Sequence, residues 1–348
     1  MDQLAKLEDL PQEYRDNLEK LNLVPLWPSL RDVLPPETPQ PKTKPIMWPY
    51  DTLRPLLMQA GDLTPIEKAE RRVLVLSNPG HGLENMRATP VMYLGMQLLL
   101  PGEWAPSHRH TPNAIRMIVE GNDAYTTVNG QKCPMERGDL ILTPTGMWHE
   151  HSHEGTEPVV WLDVLDLPLV YFMEASYVEP FGEHQDINGV AANTAYGPGI
   201  VPTPVFTRQN PTNPLLRFAW KDARKALENM AASQPDAKSI QVTYINPETG
   251  SDCQNIIGFS SLMLRPNETL TLPLRSSAMV FHVIEGQVEI QTTDNNFNMK
   301  QADTSCVPCF APVTLVNKNS DQPTFIFIAD ESPVQKKLGL YSERPNNK

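Results

Sequence analysis

The stretch GEWAPSHRHTPNAIRMIVEG (residues 102–121), continued by GDLILTPTGMWHEHSHEG (residues 138–155), decides how this chain is read. It holds five of the eight histidines: His108, His110, His149, His151 and His153. His108 and His110 are one residue apart. In an extended strand, positions i and i+2 share a face, so both imidazoles converge on one point. On a helix they would diverge. An H-x-H pair by itself is equally what two solvated histidines on a strand look like, so the surroundings must decide.

Those surroundings are β. YLGMQLLL, AIRMIVEG, AYTTVNG, DLILTP and PVVWLDVLDL are short apolar or alternating runs between residues 91 and 166, cut by Gly, Pro and Asn. Closely spaced strands of this kind suggest a small barrel or sandwich. The punctuation also fits the cupin signature, G-x5-H-x-H-x3-E-x6-G followed by G-x5-P-x-G-x2-H, through Gly102, His108, His110, Gly121, Gly138, Pro144, Gly146 and His149. The signature assigns a metal to His108, His110 and His149. One position departs, because Ala114 stands where the signature has glutamate. Three neutral imidazoles without a carboxylate leave a divalent ion its full charge and open positions, which an anionic chelating substrate can fill. The ligand set suits zinc as well as iron. His151 shares strand parity with His149 and suits an acid or base beside the metal, and His153 a structural role. Arg116 is either a surface arginine lying along the strand or a carboxylate clamp inside the barrel.

Composition sets the outer bounds. The chain has 348 residues, 40% of them hydrophobic, enough for two domains. No apolar run approaches the roughly 18 residues of a membrane span, and the charged, amphipathic start lacks a signal-peptide core. Cys133, Cys253, Cys306 and Cys309 are too few and scattered for a disulfide framework, which points to a reducing, cytoplasmic setting. A formal charge of −12 argues against nucleic acid, but a locally basic pocket for a small anion remains compatible with it. The 35 prolines disfavour long helices.

The organisation is that of a mainly β bicupin: two double-stranded β-helix (jelly-roll) barrels with helical segments before and between them. Residues 1–85 read as a helix (11–22), a proline-rich arm without regular structure and a lead-in strand. Trp27, Met47, Trp48 and Tyr50 in that arm call for a surface to pack on, in this chain or a neighbouring subunit. Residues 86–185 form the barrel with the histidines, 186–250 a helical connection centred on PLLRFAWKDARKALENMAAS, 251–335 a second barrel and 336–348 a tail. The second barrel rests on an internal repeat: Pro101 and Pro266, like Gly121 and Gly286, lie 165 apart, and Pro144 and Pro308 lie 164 apart. Its counterparts of the three histidines are Pro273, Arg275 and Val313, so it reads as scaffold. His282 reads as a packed core histidine, and Cys306-x-x-Cys309 as structural.

This bicupin layout, with HRHTPNAIRMIVEG, PTGMWHEHSHEG, the RRVLVLSNPG lead-in and the long N-terminal arm, resembles the gentisate 1,2-dioxygenase family over nearly the whole chain. Relatives in that family act on salicylate and 1-hydroxy-2-naphthoate. An alanine at the glutamate position is what the family shows. The resemblance implies one Fe(II) per chain held by His108, His110 and His149, and cleavage of gentisate by O2 between C1 and C2 to maleylpyruvate, in aromatic catabolism. It implies that Arg72 and Arg116 bind the substrate carboxylate, that Gln97 orients substrate, and that His151 and Asp163 handle protons. It also implies a homotetramer. The chain departs from family members that keep an H-x-H remnant in the second barrel, which speaks against a second metal there. Two other readings compete: a zinc cupin isomerase or hydrolase, and a non-catalytic bicupin that binds a small carboxylate.

Overall fold

The computed structural model describes residues 4–190, 196–197, 199–202 and 213–346. The chain divides into two compact units, Met1–Lys42 and Thr43–Lys348. The smaller carries the expected helix, Gln12–Lys20, entered from Pro11. Its proline-rich part is not wholly irregular, since Leu30–Val33 forms one short helical turn.

The larger unit is mainly β, in two similar halves. The first barrel packs two six-stranded sheets. One runs Arg217–Phe218, Leu140–Thr143, Ala114–Glu120, Val159–Leu165, Tyr93–Leu99, Arg72–Val75. The other runs Val178–Pro180, Trp104–His110, His149–His153, Ala124–Val128, Gln131–Met135, Gly189–Val190. The second barrel pairs Ile46–Trp48, Thr304–Val307, Met279–Glu285, Thr324–Asp330, Gly258–Leu264 and Ile240–Thr243 with a sheet of Thr269–Leu272, Val313–Val316, Gln287–Gln291 and Asn296–Lys300. Neither pair of sheets closes into one hydrogen-bonded ring.

The repeat reaches further back than the sequence suggested, and its lead-in segments are exchanged. Ile46–Trp48, from the arm, pairs with Thr304–Val307 of the second barrel, whereas Arg217–Phe218 pairs with Leu140–Thr143 of the first. Domain limits drawn along the sequence therefore do not follow the sheets. The segment around Arg217 is not the start of the connecting helix as expected: its backbone is taken up by the sheet edge, and the helix begins at Trp220. Part of the 186–250 connection lies outside the described residues. The arm's Trp48 and Tyr50 pack into the core of this same unit.

The exchange is held by matched polar clamps. Tyr50 N donates to Asp303 Oδ1 (2.7 Å), and Arg54 Nε to Glu120 (2.9 Å). At the equivalent positions Trp220 N donates to Asp139 Oδ1 (2.8 Å), and Arg224 Nε to Glu285 Oε2 (3.2 Å). Each helix thus starts on one barrel and reaches its side chain to the other. Asp166 and Glu331 are matched acceptors 165 residues apart, each past the last strand of its barrel, but only Glu331 reaches the other half. Asp166 accepts from Asn113 N (2.8 Å) and Nδ2 (2.7 Å); Glu331 accepts from Thr89 Oγ1.

Burial pushes the Glu331 carboxyl up to about 7, from an ordinary 4.5. The native state therefore keeps this proton over a range where the unfolded chain has lost it. Its contribution is complete below the ordinary value and falls away as pH rises through about 7. The thermal midpoint is expected to decline over that window. Glu331→Gln, which keeps the acceptor for Thr89 without the ionisation, should flatten the decline. An equal slope in both proteins would rule Glu331 out as its source.

The second barrel's interior is apolar. Leu262, Phe281, Val313, Leu315 and Ile328 are all buried in one cluster at the places where the first barrel carries Gln97, Arg116, His149, His151 and Asp163. Of the other counterparts, Arg275 turns to Glu343 in the C-terminal tail (3.3 Å), and Pro273 has no ligating atom. His282 is buried against Thr304 Oγ1 (3.0 Å), and Cys306 and Cys309 are unpaired.

Candidate active site

The strand Trp104–His110 positions the first two histidines, and its neighbour His149–His153 the third. His108 stands directly across from His149, after a register shift between Ala105 and His108 where Pro106 cannot donate to the ladder. His110 follows on the same face. Ring centroids are 4.3 Å (His108–His149), 4.8 Å (His110–His149) and 5.4 Å (His108–His110) apart. One nitrogen of each ring lies within 4.8 Å of the others, the one such cluster of metal-binding groups among the described residues.

Backbone carbonyls orient each ring in the same way. His108 Nδ1 faces Pro106 O (3.3 Å), His110 Nδ1 faces Pro112 O (2.7 Å) and His149 Nδ1 faces Met147 O (3.0 Å). A carbonyl only accepts, so Nδ1 of His110 and of His149 carries the hydrogen and their Nε2 keeps its lone pair, whereas His108 Nδ1 is shared between Pro106 O and the Arg71 guanidinium. His149 Nε2 is buried without a partner. Burial, helped by nearby arginine charge, lowers His108 to about 3 and His110 to about 4, and holds His149 well below the ordinary value. Three neutral rings, each bringing one nitrogen to a common point, are what a divalent ion requires. No carboxylate belongs to the cluster, and position 114 is a buried alanine.

The facing sheet supplies the polar floor. Arg116 and Asp163 are cross-strand partners, both buried. Arg116 Nη1 donates to Thr143 Oγ1 (2.7 Å), while its Nε lies 3.4 Å from Asp163 Oδ1, too poorly directed for a hydrogen bond. Both of those atoms, together with Gln97 Nε2 and His151 Nε2, are buried and unsatisfied. Such groups cost free energy unless something hydrogen-bonds them. Burial pushes Asp163 up to about 6, against the pull of Arg116. The open alternative for Arg116 thus resolves: it is interior, not a surface residue.

His151, fully buried, has Nδ1 3.0 Å from Thr126 Oγ1, and that hydroxyl donates onward to Met135 Sδ (3.7 Å). His151 Nδ1 then carries the hydrogen, and Nε2 is left as an acceptor. Desolvation first, then Arg116 and Arg71, keep the ring neutral. His151 and Asp163 do not bond each other; their partners are Thr126 and Arg116. His153 contacts Glu157 O (2.6 Å) and accepts from Gly155 N (3.1 Å), closing the turn after its strand.

One expected residue is displaced. Arg72 pairs across from Leu98 and turns to the opposite face, under the helix Tyr50–Leu63, where it meets Glu103 and donates to Gly61 O (3.3 Å). Alternation along the strand brings Arg71 to the histidines instead. Arg71 Nη2 donates to Pro106 O (2.7 Å) and touches His108 Nδ1. Burial, then repulsion from Arg116, lowers Arg71 to about 10, so it stays a cation. We expect Arg71→Met to raise the KM for an aromatic carboxylate about tenfold or more at little cost in thermal midpoint. Arg72→Met, which orphans Glu103, should do the reverse. Equal KM values for the two variants would contradict this assignment.

Comparisons with known proteins find similar sequences and folds. Residues 95–165 match the cupin domain family. The chain is 63% identical over 343 residues to a gentisate 1,2-dioxygenase from Ralstonia sp, covering 98% of this chain and 96% of that protein. It is 30% identical to a 1-hydroxy-2-naphthoate 1,2-dioxygenase from Nocardioides sp., covering 88% and 80%. The crystal structure of salicylate 1,2-dioxygenase from Pseudoaminobacter salicylatoxidans, as adducts with gentisate, matches with a TM-score of 0.90 at 27% identity, covering 100% of this chain and 96% of that one.

Proposed function

The chain belongs to the gentisate 1,2-dioxygenase family of ring-cleaving cupin enzymes, and we propose that its first barrel opens gentisate with O2, between C1 and C2, to maleylpyruvate. The carrying observation is the donor set: three neutral imidazoles with no carboxylate, beside the buried Arg116 and the half-buried Arg71. Such a centre attracts a dianionic chelator, as a hydroxybenzoate becomes on binding.

In this reading His108, His110 and His149 hold one Fe(II) per chain. Iron, when bound, supplies the redox chemistry by which O2 and the ring react. Arg116, with Arg71, draws in the substrate carboxylate and neutralises it. Gln97 Nε2 donates to a substrate oxygen. His151 Nε2 accepts a hydroxyl proton and returns it, its ring held by Thr126. Asp163 fixes the Arg116 guanidinium and so acts one step from the substrate. Burial of the floor excludes water that would compete for these groups.

Tyr171, Phe172, Tyr177, Val178 and Phe181 are exposed beside the strand that carries His108 and His110, which supports self-association, with a homotetramer as the expected state. No helix among the described residues is long and apolar enough to cross a membrane, and the four unpaired cysteines favour a cytoplasmic location.

Related members act on salicylate and 1-hydroxy-2-naphthoate, so substrate choice is the point to test. With Fe(II) loaded anaerobically, kcat/KM should be highest for gentisate, whose 5-hydroxyl lies para to the 2-oxygen and raises ring electron density. A higher value for salicylate or 1-hydroxy-2-naphthoate would move the assignment to that substrate.

A further inference from the structure

We infer that the second half of the chain supplies a positioning residue, Gln254, to the active site of the first. This rests on the dioxygenase reading above. Gln254 lies in the loop before Gly258–Leu264 and is buried. Its Nε2 donates to Ala114 O (3.3 Å), the carbonyl of the residue that replaces the cupin glutamate. Thr143 Oγ1 donates to the same carbonyl (3.3 Å) and accepts from Arg116 Nη1 (2.7 Å). An unbroken chain thus runs from Gln254 through Ala114 O and Thr143 to the guanidinium proposed to bind the carboxylate.

The bland alternative is that Gln254 is a strut between halves. The internal repeat offers a control, because Thr89 lies 165 residues earlier, in the matching loop of the first half. Thr89 is such a strut. Its hydroxyl donates to Glu331 Oε1 and accepts from Val91 N (3.2 Å) and Met92 N (2.9 Å), so every capacity is used. Gln254 differs in one respect: its Oε1 is buried and has no partner. A residue chosen for stability alone would not leave an amide oxygen so placed, since an apolar side chain of the same size avoids that cost. Positions that break a local rule in this way tend to serve the site. What Gln254 secures is the Ala114–Arg116 end of the strand. Without its bond, Thr143 alone fixes the carbonyl, and the guanidinium loses its bearing.

The test uses the iron-loaded full chain with gentisate, comparing Gln254→Met, Gln254→Glu and Thr89→Val. For Gln254→Met we expect a KM increase of about fivefold or more, kcat within about twofold, and a thermal midpoint equal to or above that of the parent. Gln254→Glu, which keeps an acceptor but loses the donor, should behave like Met in KM. Thr89→Val should lower the midpoint and leave KM unchanged. A lowered midpoint with unchanged KM in Gln254→Met would make the residue a strut and overturn the inference. If the unmodified chain itself fails to turn over gentisate, the dioxygenase reading fails instead, and the two failures are told apart by that arm.

Discussion

His149→Ala is expected to hold no iron after anaerobic loading and desalting, and to turn over gentisate at less than about one thousandth of the parent rate. The three imidazoles are the whole protein ligand set, with no carboxylate in reserve. Removing one leaves two neutral donors, too weak a grip for a ferrous ion. His149 is the ring to choose because it is fully buried and central, 4.3 Å from His108 and 4.8 Å from His110. A thermal readout separates loss of metal from loss of fold. Iron stabilises the native parent by mass action, so its midpoint should rise on adding Fe(II), whereas that of His149→Ala should not. The metal-free variant should stay close to the metal-free parent, because the small cavity is offset by removal of a buried nitrogen with no partner. Iron at one equivalent in the variant would contradict the ligand assignment.

Arg116→Met comes second in size, and here two effects must be told apart. Charge-assisted hydrogen bonds to a carboxylate are worth about 1.5–3 kcal/mol, so KM for gentisate should rise roughly thirtyfold. The variant also strands Asp163, buried and now without its cation, and breaking such a pair costs about 3–5 kcal/mol when the charge remains. Asp163 will escape part of that cost by taking up a proton, since burial already places it near 6. A sharp fall in thermal midpoint is therefore expected at pH 8 and a smaller one at pH 5. The double variant Arg116→Met/Asp163→Leu should recover most of the midpoint and none of the KM. Recovery of both would remove Arg116 from substrate binding.

What the sequence disclosed, and what it hid, follows from how local each feature is. The histidine trio was legible because H-x-H in a strand fixes a shared face, and because the glycine and proline punctuation sets the return to His149. Arg116 could be found but not faced: only its pairing with Asp163 shows that it points inward. Arg72 failed by one residue. In a strand a single step reverses the side chain, and the doublet Arg71–Arg72 gives no local signal of register; its pairing with Leu98 does. The exchanged strands were hidden for another reason. Ile46–Trp48 finds its partner at Thr304–Val307, and no periodicity within either segment encodes a pairing so distant. Arg217–Phe218 is contiguous in sequence with a good helix and merges with it in any pattern, because an edge strand of two residues carries no pattern of its own. The repeat itself could be seen only in the barrels, where glycine and proline mark it. In the lead-in segments it survives as matched clamps, Tyr50 with Trp220 and Arg54 with Arg224, whose side chains differ or whose spacing drifts.

The most direct test of the central claim is oxygen consumption by the full chain loaded with one equivalent of Fe(II), against the same protein loaded with zinc, at saturating gentisate. The three-imidazole centre predicts one O2 consumed per gentisate with iron and no uptake with zinc. Equal rates with both metals, or gentisate consumed by the iron protein without O2, would contradict it.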